Sequence, residues 1–279
     1  YMILNKHNLD ELNKNGFFVI KNLLDEKDIE NYQNIFLKKK KIKAQIDDFE
    51  LSEEECWNYL INKNLTKHLK FFLGEKIFYL HDLNFVEHQI ENQDYSWHRD
   101  NPCRSTGLGP DWNSEKPYNV LTTITYMSDS DTTSSVLNVI PGSHLNNYKY
   151  TFSNIFRFLL LKIKKKSEFL SKIIKRFNGK RIKYEVGDCI VFFSNLYHMG
   201  ELLNSQNIKT RKLIVSRFGG LGVHSENYVN YHLKHRKDQI GKYRNVDKTE
   251  KFFNFLKTNN LYIQIPEKKL TIKGSFSTL

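Results

Sequence analysis

The chain has 279 residues, 39% of them hydrophobic and 14% aromatic, with a formal net charge of +12, a composition typical of a globular protein that buries a sizeable core. No stretch approaches the roughly 18 uninterrupted apolar residues of a membrane span, and the polar residues before Gly16 contain no apolar signal core, so we expect a cytoplasmic protein. The 3 cysteines are widely spaced and odd in number, which excludes a disulfide framework and a Cys-x-x-Cys zinc site.

The N-terminal part of the chain predicts helices around one short strand. In chain order, the predicted elements are a helix ending at Gly16, a buried strand over Phe17–Ile20, a helix capped by Asp25, a loop or exposed helix over 38–56, and a helix over 57–72. The apolar residues of the helix after Asp25 recur at helical spacing, which indicates that one face packs against the rest of the protein.

From Ile77 the pattern changes to short strands separated by turns. The predicted strands cover 77–80, 84–90, 119–127, 136–140, 181–186, 189–193 and 211–218, of which 211–218 is expected to be the last core strand. A loop rich in Pro and Gly over 101–118 and a polar loop from Gly200 to Lys209 interrupt the series, and 225–260 predict helices. Many short strands with helices at both ends indicate one mainly β domain, a β-sandwich or barrel covered by helices.

Residues 152–177 interrupt the β pattern with apolar residues at helical spacing and a dense set of Lys and Arg. They predict one or two basic amphipathic helices, which we expect to cover the outer side of a sheet; the alternative is a peripheral contact with a membrane surface. Part of the positive charge is compositional, because Lys accompanies abundant Asn and Ile in this chain. The charge favours an anionic small-molecule substrate and gives no clear indication of a nucleic-acid partner.

Two residues of one strand-like stretch suggest metal chemistry. His98 and Asp100 are separated by one residue, and residues i and i+2 of an extended strand point to the same side, so both can reach one metal ion. A His-x-Asp pair alone is also typical of a surface ion pair. The best candidate for a third ligand is His198, which follows a buried strand. Two His and one carboxylate on one face of a metal, with the other positions open, are typical of non-haem Fe(II) oxygenases.

The order of the motifs resembles the phytanoyl-CoA dioxygenase family of Fe(II)/2-oxoglutarate oxygenases. The motifs are His98-x-Asp100 at the end of a strand, Pro141-Gly-Ser-His closing a strand midway, His198 after a turn, and Arg211 at the start of the next strand. The stretch that begins Gly16-Phe-Phe-Val-Ile is also similar to the family, so the resemblance runs from about Gly16 to Gly220.

The resemblance implies a double-stranded β-helix, that is, a jelly-roll or cupin-like core covered by N-terminal, inserted and C-terminal helices. One domain would span 1–279. Its core strands would cover about 77–220, a helical insertion about 152–177, and a C-terminal helical cover about 225–265.

The resemblance also implies roles for individual residues. By position, the family's metal ligands correspond to His98, Asp100 and His198. Arg211 corresponds to the arginine that grips the distal carboxylate of 2-oxoglutarate, and a guanidinium can hold a carboxylate through two parallel hydrogen bonds. Thr125 and Gln89 correspond to polar neighbours of the cosubstrate. No catalytic residue is implied beyond the metal ligands.

The implied reaction is hydroxylation of a C–H bond in a small metabolite. Fe(II) is the implied cofactor, 2-oxoglutarate and O₂ are the cosubstrates, and succinate and CO₂ are released. Related halogenases carry a small residue at the carboxylate position, which vacates a site for halide. Because this chain has Asp100 there, the resemblance favours a hydroxylase.

Two other functions fit the same residues. A non-catalytic jelly-roll protein would use the basic helices of 152–177 as a binding surface, and a cupin-type metalloenzyme would use the metal without 2-oxoglutarate. Arg217 is a rival to Arg211 for the cosubstrate, because it lies six residues on and faces the same side of an ideal strand. We expect Arg99 to point away from the metal ligands and His144 to be a structural hydrogen-bonding residue.

Overall fold

A computed structural model describes residues 4–41, 49–88, 97–100, 118–145, 179–203, 210–235 and 246–263. The predicted basic helices of 152–177 and the predicted cosubstrate neighbour Gln89 lie outside the described residues. Within the described ranges, no helix is both long enough and apolar enough to cross a membrane.

Helices dominate the first part of the chain and strands the middle. The helices are α1 (Lys6–Asn15), α2 (Glu26–Lys41), α3 (Phe49–Ser52), α4 (Glu54–Trp57), α5 (Lys63–Leu73), α6 (Ser130–Thr133), α7 (Val223–His235) and α8 (Val246–Thr258). The strands are β1 (Phe17–Ile20), β2 (Phe78–His88), β3 (Val120–Tyr126), β4 (Ser135–Val139), β5 (Lys180–Ile182), β6 (Cys189–Phe193), β7 (His198–Leu202), β8 (Arg211–Gly219) and β9 (Tyr262–Ile263). The helix predicted over 57–72 begins later, because Asn62 caps it by accepting from the backbone of Asn64 and Leu65.

The described strands form two sheets. One sheet is six-stranded with the order β1-β6-β3-β8-β2-β9, and the other is three-stranded with the order β5-β4-β7. The described strand pairs are antiparallel, apart from the parallel pair of β2 with β9. Strands that are distant in the chain lie side by side in the larger sheet, as in a jelly roll. The predicted jelly-roll core with flanking helices is confirmed.

The central strands of the larger sheet are buried on both faces. The inner face packs on the three-stranded sheet through Phe17, Tyr126, Leu137, Val139, Ile190, Phe192 and Leu213. The outer face packs on α1, α2, α5, α7 and α8 through a cluster that includes Phe18, Phe85, Leu121, Val191, Ile214 and Phe218. Alternate residues of one strand therefore lie in different layers. On β3, Ile124 and Tyr126 face inward, whereas Leu121 faces the helices.

Within 38–56, the described residues 38–41 and 49–56 are more structured than the sequence predicts, and several of 49–56 are buried. Helix α2 continues to Lys41, and α3 and α4 occupy 49–57 with Glu50 itself buried. The Glu50 carboxylate accepts from the Phe85 N–H (2.9 Å) and pairs with Lys39 (2.5 Å). The prediction of a loop or exposed helix is wrong here, because this acidic residue finds partners inside the protein.

The observed strands differ in detail from the predictions or add to them at three places. Within the described residues, the strands predicted over 77–80 and 84–90 join into one strand, β2, which is described up to His88. Its register shifts between Tyr79 and Leu83 around His81, a residue with a φ of 60°. Strand β7 begins at His198 and continues to Leu202, into the start of the polar loop that is predicted after Gly200. Strand β9 adds a parallel edge to the larger sheet beyond the expected last strand.

Gly16 lies where the end of α1, the end of β6 and the side chain of His144 meet. Its φ of 85° ends α1 in the left-handed region, and its N–H donates to the Leu12 carbonyl (2.7 Å). Its own carbonyl accepts from the Phe193 N–H at the end of β6 (3.0 Å). A Cβ at this position would overlap the imidazole of His144 and lie 2.6 Å from Leu196 Cδ1. Glycine is therefore required by both conformation and space.

Replacing Gly16 by Ala should destabilise the fold more than replacing Gly74 by Ala. Both residues have a positive φ, 85° and 92°, but a Cβ on Gly74 would meet nothing within 4 Å. The left-handed backbone of Gly16 (ψ 1°) costs an alanine about 1–2 kcal/mol. The backbone of Gly74 (ψ 177°) lies in a region that is essentially restricted to glycine and costs about 1–3 kcal/mol. The overlap with His144 adds about 1–3 kcal/mol at Gly16 alone. Urea unfolding followed by circular dichroism measures both losses, and equal losses would contradict a tight contact at His144.

Candidate metal centre

The centre lies where Trp97–Asp100 pairs with the beginning of β7. The His98 N–H donates to the His198 carbonyl (3.0 Å) and the His198 N–H donates to the His98 carbonyl (2.9 Å), which makes an isolated antiparallel bridge. The Asp100 N–H donates to the Ser194 carbonyl (2.9 Å). The main chain therefore holds the two histidines opposite each other and keeps Asp100 on the same side as His98.

The side chains of the three predicted ligands converge. His198 Nε2 lies 3.6 Å from Asp100 Oδ1, and His98 Nε2 lies 4.0 Å from the same oxygen. One ligand atom from each residue lies within 4.8 Å of the other two. Ligands at neighbouring positions of one ion, with bonds of about 2.1 Å, are about 3 Å apart, so the three side chains need to approach one another by about 1–2 Å to bind one ion together. Asp100 and His198 are buried, whereas the His98 side chain is 27% exposed and leaves one side accessible.

The surroundings of His198 fix the tautomer that a metal needs. Its Nδ1 lies 3.0 Å from the Leu196 carbonyl, and because a carbonyl only accepts, Nδ1 carries the proton. Its Nε2 then presents a lone pair towards Asp100 Oδ1. The ring also packs against Phe192, with 4.6 Å between ring centroids. His198 is thus oriented for metal binding by the protein alone.

Asp100 is held through one of its two oxygens. Thr122 Oγ1 donates to Oδ2 (2.9 Å), and Arg217 Nη2 contacts the same oxygen at 3.0 Å. Arg217 Nη1 pairs with Asp82, whose carboxylate also accepts from the amide of Asn84. The buried carboxylate is therefore both paired and hydrogen-bonded, which a buried charge requires. Its Oδ1 faces the two imidazoles.

The turn Pro141-Gly-Ser-His supports the turn that carries His198. Three hydrogen bonds join the two turns: Ile140 N–H to the Tyr197 carbonyl (2.9 Å), Tyr197 N–H to Ser143 Oγ (3.0 Å), and Asn195 Nδ2 to the His144 carbonyl (3.0 Å). The His144 imidazole stacks on Phe193, and its Nε2 hydrogen-bonds the Asn13 carbonyl (2.9 Å). The structural role predicted for His144 is confirmed.

Arg99 points away from the ligands, as alternation predicts. Its guanidinium lies 4.3 Å from the centre of the Tyr197 ring and donates to the Ser143 carbonyl (3.1 Å). Arg99, which lies between the candidate ligands His98 and Asp100, thus helps to hold the Pro141-Gly-Ser-His turn against Tyr197.

Arg211 lies on the inner face, at the other end of β8 from Arg217. It is 7% exposed, and its guanidinium packs on Gly200 of β7, where an added Cβ would lie 2.9 Å from Nη1. Gly200 comes two residues after His198, which is about 7 Å along a strand. Among the described residues, none hydrogen-bonds to the Nε of Arg211. A buried cation with an unused donor indicates a site for an anionic ligand close to the metal ligands.

Apolar side chains line the inner face between Arg211 and the metal ligands. Val86, Ile124 and Val215 lie there, and each keeps part of its surface exposed although it belongs to the inner cluster. Ile124 pairs with Val215 across β3 and β8. From the partial exposure of these interior side chains we infer a cavity between the three candidate ligands and the guanidinium of Arg211.

The structure does not bring Thr125 to this cavity. Its Oγ1 hydrogen-bonds the hydroxyl of Tyr59 (2.7 Å) on the outer face. The outer face is dry at this point, since burial raises the pKa of the neighbouring Cys189 thiol to about 12. The structure corrects the expectation that Thr125 contacts the cosubstrate. Side chains alternate along β3, so Ile124 lies on the inner face and Thr125 on the outer face. Gln89, the other expected neighbour, lies outside the described residues.

Sequence reasoning misses the residues that hold Asp100. Arg217 appears in the sequence only as a rival for the cosubstrate, whereas the structure pairs it with Asp100 and Asp82. Its position on the same face as Arg211 is a signal that the sequence does contain. The contact of Thr122 with Asp100 has no such signal, because it depends on which face of β3 is turned inward.

Comparisons with known proteins agree with this architecture. The family model for phytanoyl-CoA dioxygenase (PhyH) matches residues 12–211. HygX from Streptomyces hygroscopicus, solved with nickel and 2-oxoglutarate bound, is 13% identical with a TM-score of 0.58, covering 78% of this chain and 88% of that chain.

Two enzymes of nogalamycin biosynthesis are also similar in structure. The non-heme alpha ketoglutarate dependent epimerase SnoN is 11% identical with a TM-score of 0.54, covering 77% of this chain and 80% of that one. The carbocyclase SnoK is 12% identical with a TM-score of 0.55, covering 78% and 84%. At these identities the similarity shows a common fold. No curated protein sequence matches the chain.

Burial of His144 should make the fold sensitive to acid. Desolvation lowers the pKa of His144 to about 4, whereas an unfolded histidine has a pKa of about 6.5. As the pH falls, His144 therefore takes up a proton in the unfolded state before it does so in the folded state. The contribution of neutral His144 to the free energy of unfolding is complete above about pH 6.5 and is lost as the pH falls towards about 4. We expect the unfolding temperature to fall less steeply between about pH 7 and about pH 4.5 in His144→Phe, which can stack on Phe193 but does not titrate.

Differential scanning fluorimetry across this pH range measures the slope for each protein. The control is His7→Phe, which changes an exposed histidine of α1 and should keep the wild-type slope. A His144→Phe protein with the wild-type slope would show that this imidazole does not carry the acid sensitivity.

Proposed function

The chain belongs to the phytanoyl-CoA dioxygenase family, and from this premise we propose that it is an Fe(II)- and 2-oxoglutarate-dependent oxygenase that oxidises a C–H bond of a small metabolite. The observation that carries the proposal is the convergence of two imidazole nitrogens and one carboxylate oxygen, from His98, His198 and Asp100. This set leaves the remaining positions of a six-coordinate ion open, which is the ligand arrangement of non-haem Fe(II) oxygenases.

The proposed centre divides the work between the bound groups and the chain. Fe(II), 2-oxoglutarate and O₂ together supply the oxidant that removes a hydrogen atom from an unactivated C–H bond, with release of succinate and CO₂. His98, Asp100 and His198 would hold the ion. The main-chain bridge and the Nδ1–H of His198 fix their directions, and the apolar inner face limits access of water.

Arg211 would bind the distal carboxylate of 2-oxoglutarate. Its guanidinium lies over Gly200, about 7 Å along β7 from His198, a span comparable with the length of an extended five-carbon dicarboxylate. The absence of a side chain on Gly200 leaves room for the guanidinium, and the unused Nε donor suits an incoming carboxylate. Arg217 is not the better candidate, because Asp82 and Asp100 already engage it.

Hydroxylation is the outcome that we propose, and the substrate class is a small anionic metabolite. Asp100 occupies the carboxylate position, and the net charge of +12 favours an anion. Among similar structures, HygX has been solved with hygromycin B bound, SnoN is an epimerase and SnoK a carbocyclase. Incorporation of one atom from labelled O₂ into the product separates hydroxylation from these outcomes. The cytoplasmic location stays a prediction.

The two alternative functions are less well supported. A non-catalytic binding protein does not need His198 in the metal-binding tautomer or a buried carboxylate aimed at two imidazoles. A cupin-type metalloenzyme without 2-oxoglutarate does not need a buried guanidinium two residues along the strand from a metal ligand. Activity that does not depend on the concentration of 2-oxoglutarate would favour the cupin-type enzyme.

Anaerobic titration with Fe(II) and then 2-oxoglutarate tests the proposal directly. The wild-type protein should develop the weak visible charge-transfer band of an Fe(II)–2-oxoglutarate chelate. His198→Ala should abolish it, because the ion loses its most buried imidazole ligand, and succinate production in air should fall to background. Metal binding without the band would favour the cupin-type enzyme, and no metal binding at all would favour the binding protein.

Arg211→Met should weaken 2-oxoglutarate binding by about 30–100-fold, the loss expected for a charge-assisted bidentate pair. Arg181→Met is the matched control. Arg181 forms a bidentate pair with Glu201 (2.9 and 2.6 Å) away from the cavity. The control therefore makes the same substitution at an arginine that has no role in the proposed site. The intensity of the charge-transfer band at increasing 2-oxoglutarate measures each affinity. Equal affinities in the two variants would remove Arg211 from the cosubstrate site.

A further inference from the structure

We infer that Thr122, Arg217 and Asp82 form a clamp that keeps Asp100 a one-oxygen metal ligand and so keeps room on the ion for 2-oxoglutarate and O₂. The inference rests on the proposed metal-binding function. It assigns positioning roles to three residues that do not themselves bind the metal.

The number of oxygens that Asp100 donates decides how many positions remain open. A carboxylate can bind a metal through one oxygen or through both. With two imidazoles and one oxygen, a six-coordinate ion keeps three open positions, two for the chelating end of 2-oxoglutarate and one for O₂. With both oxygens bound, only two remain, and the cosubstrate and O₂ cannot be accommodated together. A device that occupies the second oxygen is therefore valuable to the reaction.

The contacts of Asp100 provide this device. Thr122 Oγ1 and Arg217 Nη2 both contact Oδ2, at 2.9 and 3.0 Å, while Oδ1 faces His98 and His198. Thr122 and Arg217 are directly paired across β3 and β8, two central strands of the larger sheet, so their positions are set by the sheet register. A second hydrogen bond joins the Thr122 hydroxyl to Ser194 Oγ (2.9 Å).

Asp82 explains why Arg217 takes only one oxygen of Asp100. A guanidinium fork readily grips both oxygens of one carboxylate, which here would cover Oδ1 and compete with the metal. In this structure the fork is divided, with Nη1 on Asp82 and Nη2 on Asp100. Asp82 is 2% exposed and also accepts from Asn84, so it is a fixed anchor. Because Asp82 holds Nη1, Arg217 contacts Asp100 only at Oδ2 and leaves Oδ1 available to the metal.

Four variants separate this role from simple packing. Thr122→Val removes one contact to Oδ2 at nearly constant shape, and Thr123→Val is its matched control, since Thr123 bonds Ser216 on the outer face (2.7 Å). Arg217→Met combined with Asp82→Asn removes one buried charge of each sign, so Asp82 is not left as an unpaired carboxylate, and Asp100 keeps its hydrogen bond from Thr122. Arg217→Lys keeps a cation that can still contact Oδ2.

Two readouts are used besides unfolding temperature. The visible absorption of Co(II) bound without cosubstrate reports the coordination of the ion, and the anaerobic Fe(II) charge-transfer band gives the affinity for 2-oxoglutarate. In the Arg217/Asp82 double variant we expect a changed Co(II) spectrum, Co(II) affinity within about threefold of wild type, and 2-oxoglutarate affinity at least about tenfold weaker. Thr122→Val should change in the same direction, while Arg217→Lys should approach wild type and Thr123→Val should match it.

Either of two results overturns the inference. One is an unchanged Co(II) spectrum and unchanged 2-oxoglutarate affinity in both Thr122→Val and the double variant. The other is a parallel loss of Co(II) affinity, 2-oxoglutarate affinity and unfolding temperature, because a merely structural role weakens all three. If wild type binds Co(II) but never gives the 2-oxoglutarate band, the proposed function fails, whereas the Co(II) spectra still decide whether the clamp controls Asp100.

Discussion

Two backbone hydrogen bonds between His98 and His198 are the contact on which the metal centre depends. They join the short segment Trp97–Asp100 to β7, which pairs in turn with β4 so that His198 lies opposite Val139. Beyond Val139, the chain forms the Pro141-Gly-Ser-His turn, whose hydrogen bonds return to the residues just before His198. The ligands are therefore held by a closed circuit of backbone and side-chain hydrogen bonds, through which the protein itself sets their positions.

The polar residues of the inner face are placed so that both buried carboxylates, Asp82 and Asp100, have a partner. Removing a carboxylate from water is costly unless it is paired and hydrogen-bonded, and Asp100 and Asp82 both meet this condition through Arg217. Elsewhere on the same face the side chains are apolar, including Ile124 and Val215. The chain thus concentrates its polarity at the two ends of the cavity, where the ion and the distal carboxylate are proposed to bind.

The parts of the centre that follow from sequence are those encoded by local periodicity. His98 and Asp100 face the same way because they are two residues apart on extended chain, and Arg211 begins a strand that is apolar and β-branched. Strand β7 is different, because His-Met-Gly-Glu-Leu has little strand preference of its own. Its conformation comes from pairing with β4 and with His98, which no local pattern records.

Thr125 and Glu50 show two further limits of local patterns. Strand β3 is buried on both faces, so burial does not reveal which of its threonines look inward; only the position of the second sheet decides that Ile124 does and Thr125 does not. Glu50 looks like a surface residue in the sequence, yet it lies inside because Lys39 and the Phe85 N–H meet it there. Both errors concern contacts between residues far apart in the chain.

The balance of formal charge gives a reason for a dicarboxylate cosubstrate in particular. Two aspartates, Asp82 and Asp100, face two arginines, Arg211 and Arg217, so the side chains alone are neutral. A divalent ion adds two positive charges, and a 2-oxo dicarboxylate cancels them while giving Arg211 its partner. A 2-oxo monocarboxylate of similar shape would leave a buried guanidinium unpaired. Sites built to hold a charged group discriminate strongly against analogues that lack it, because the site's own charge is then stranded in an apolar interior.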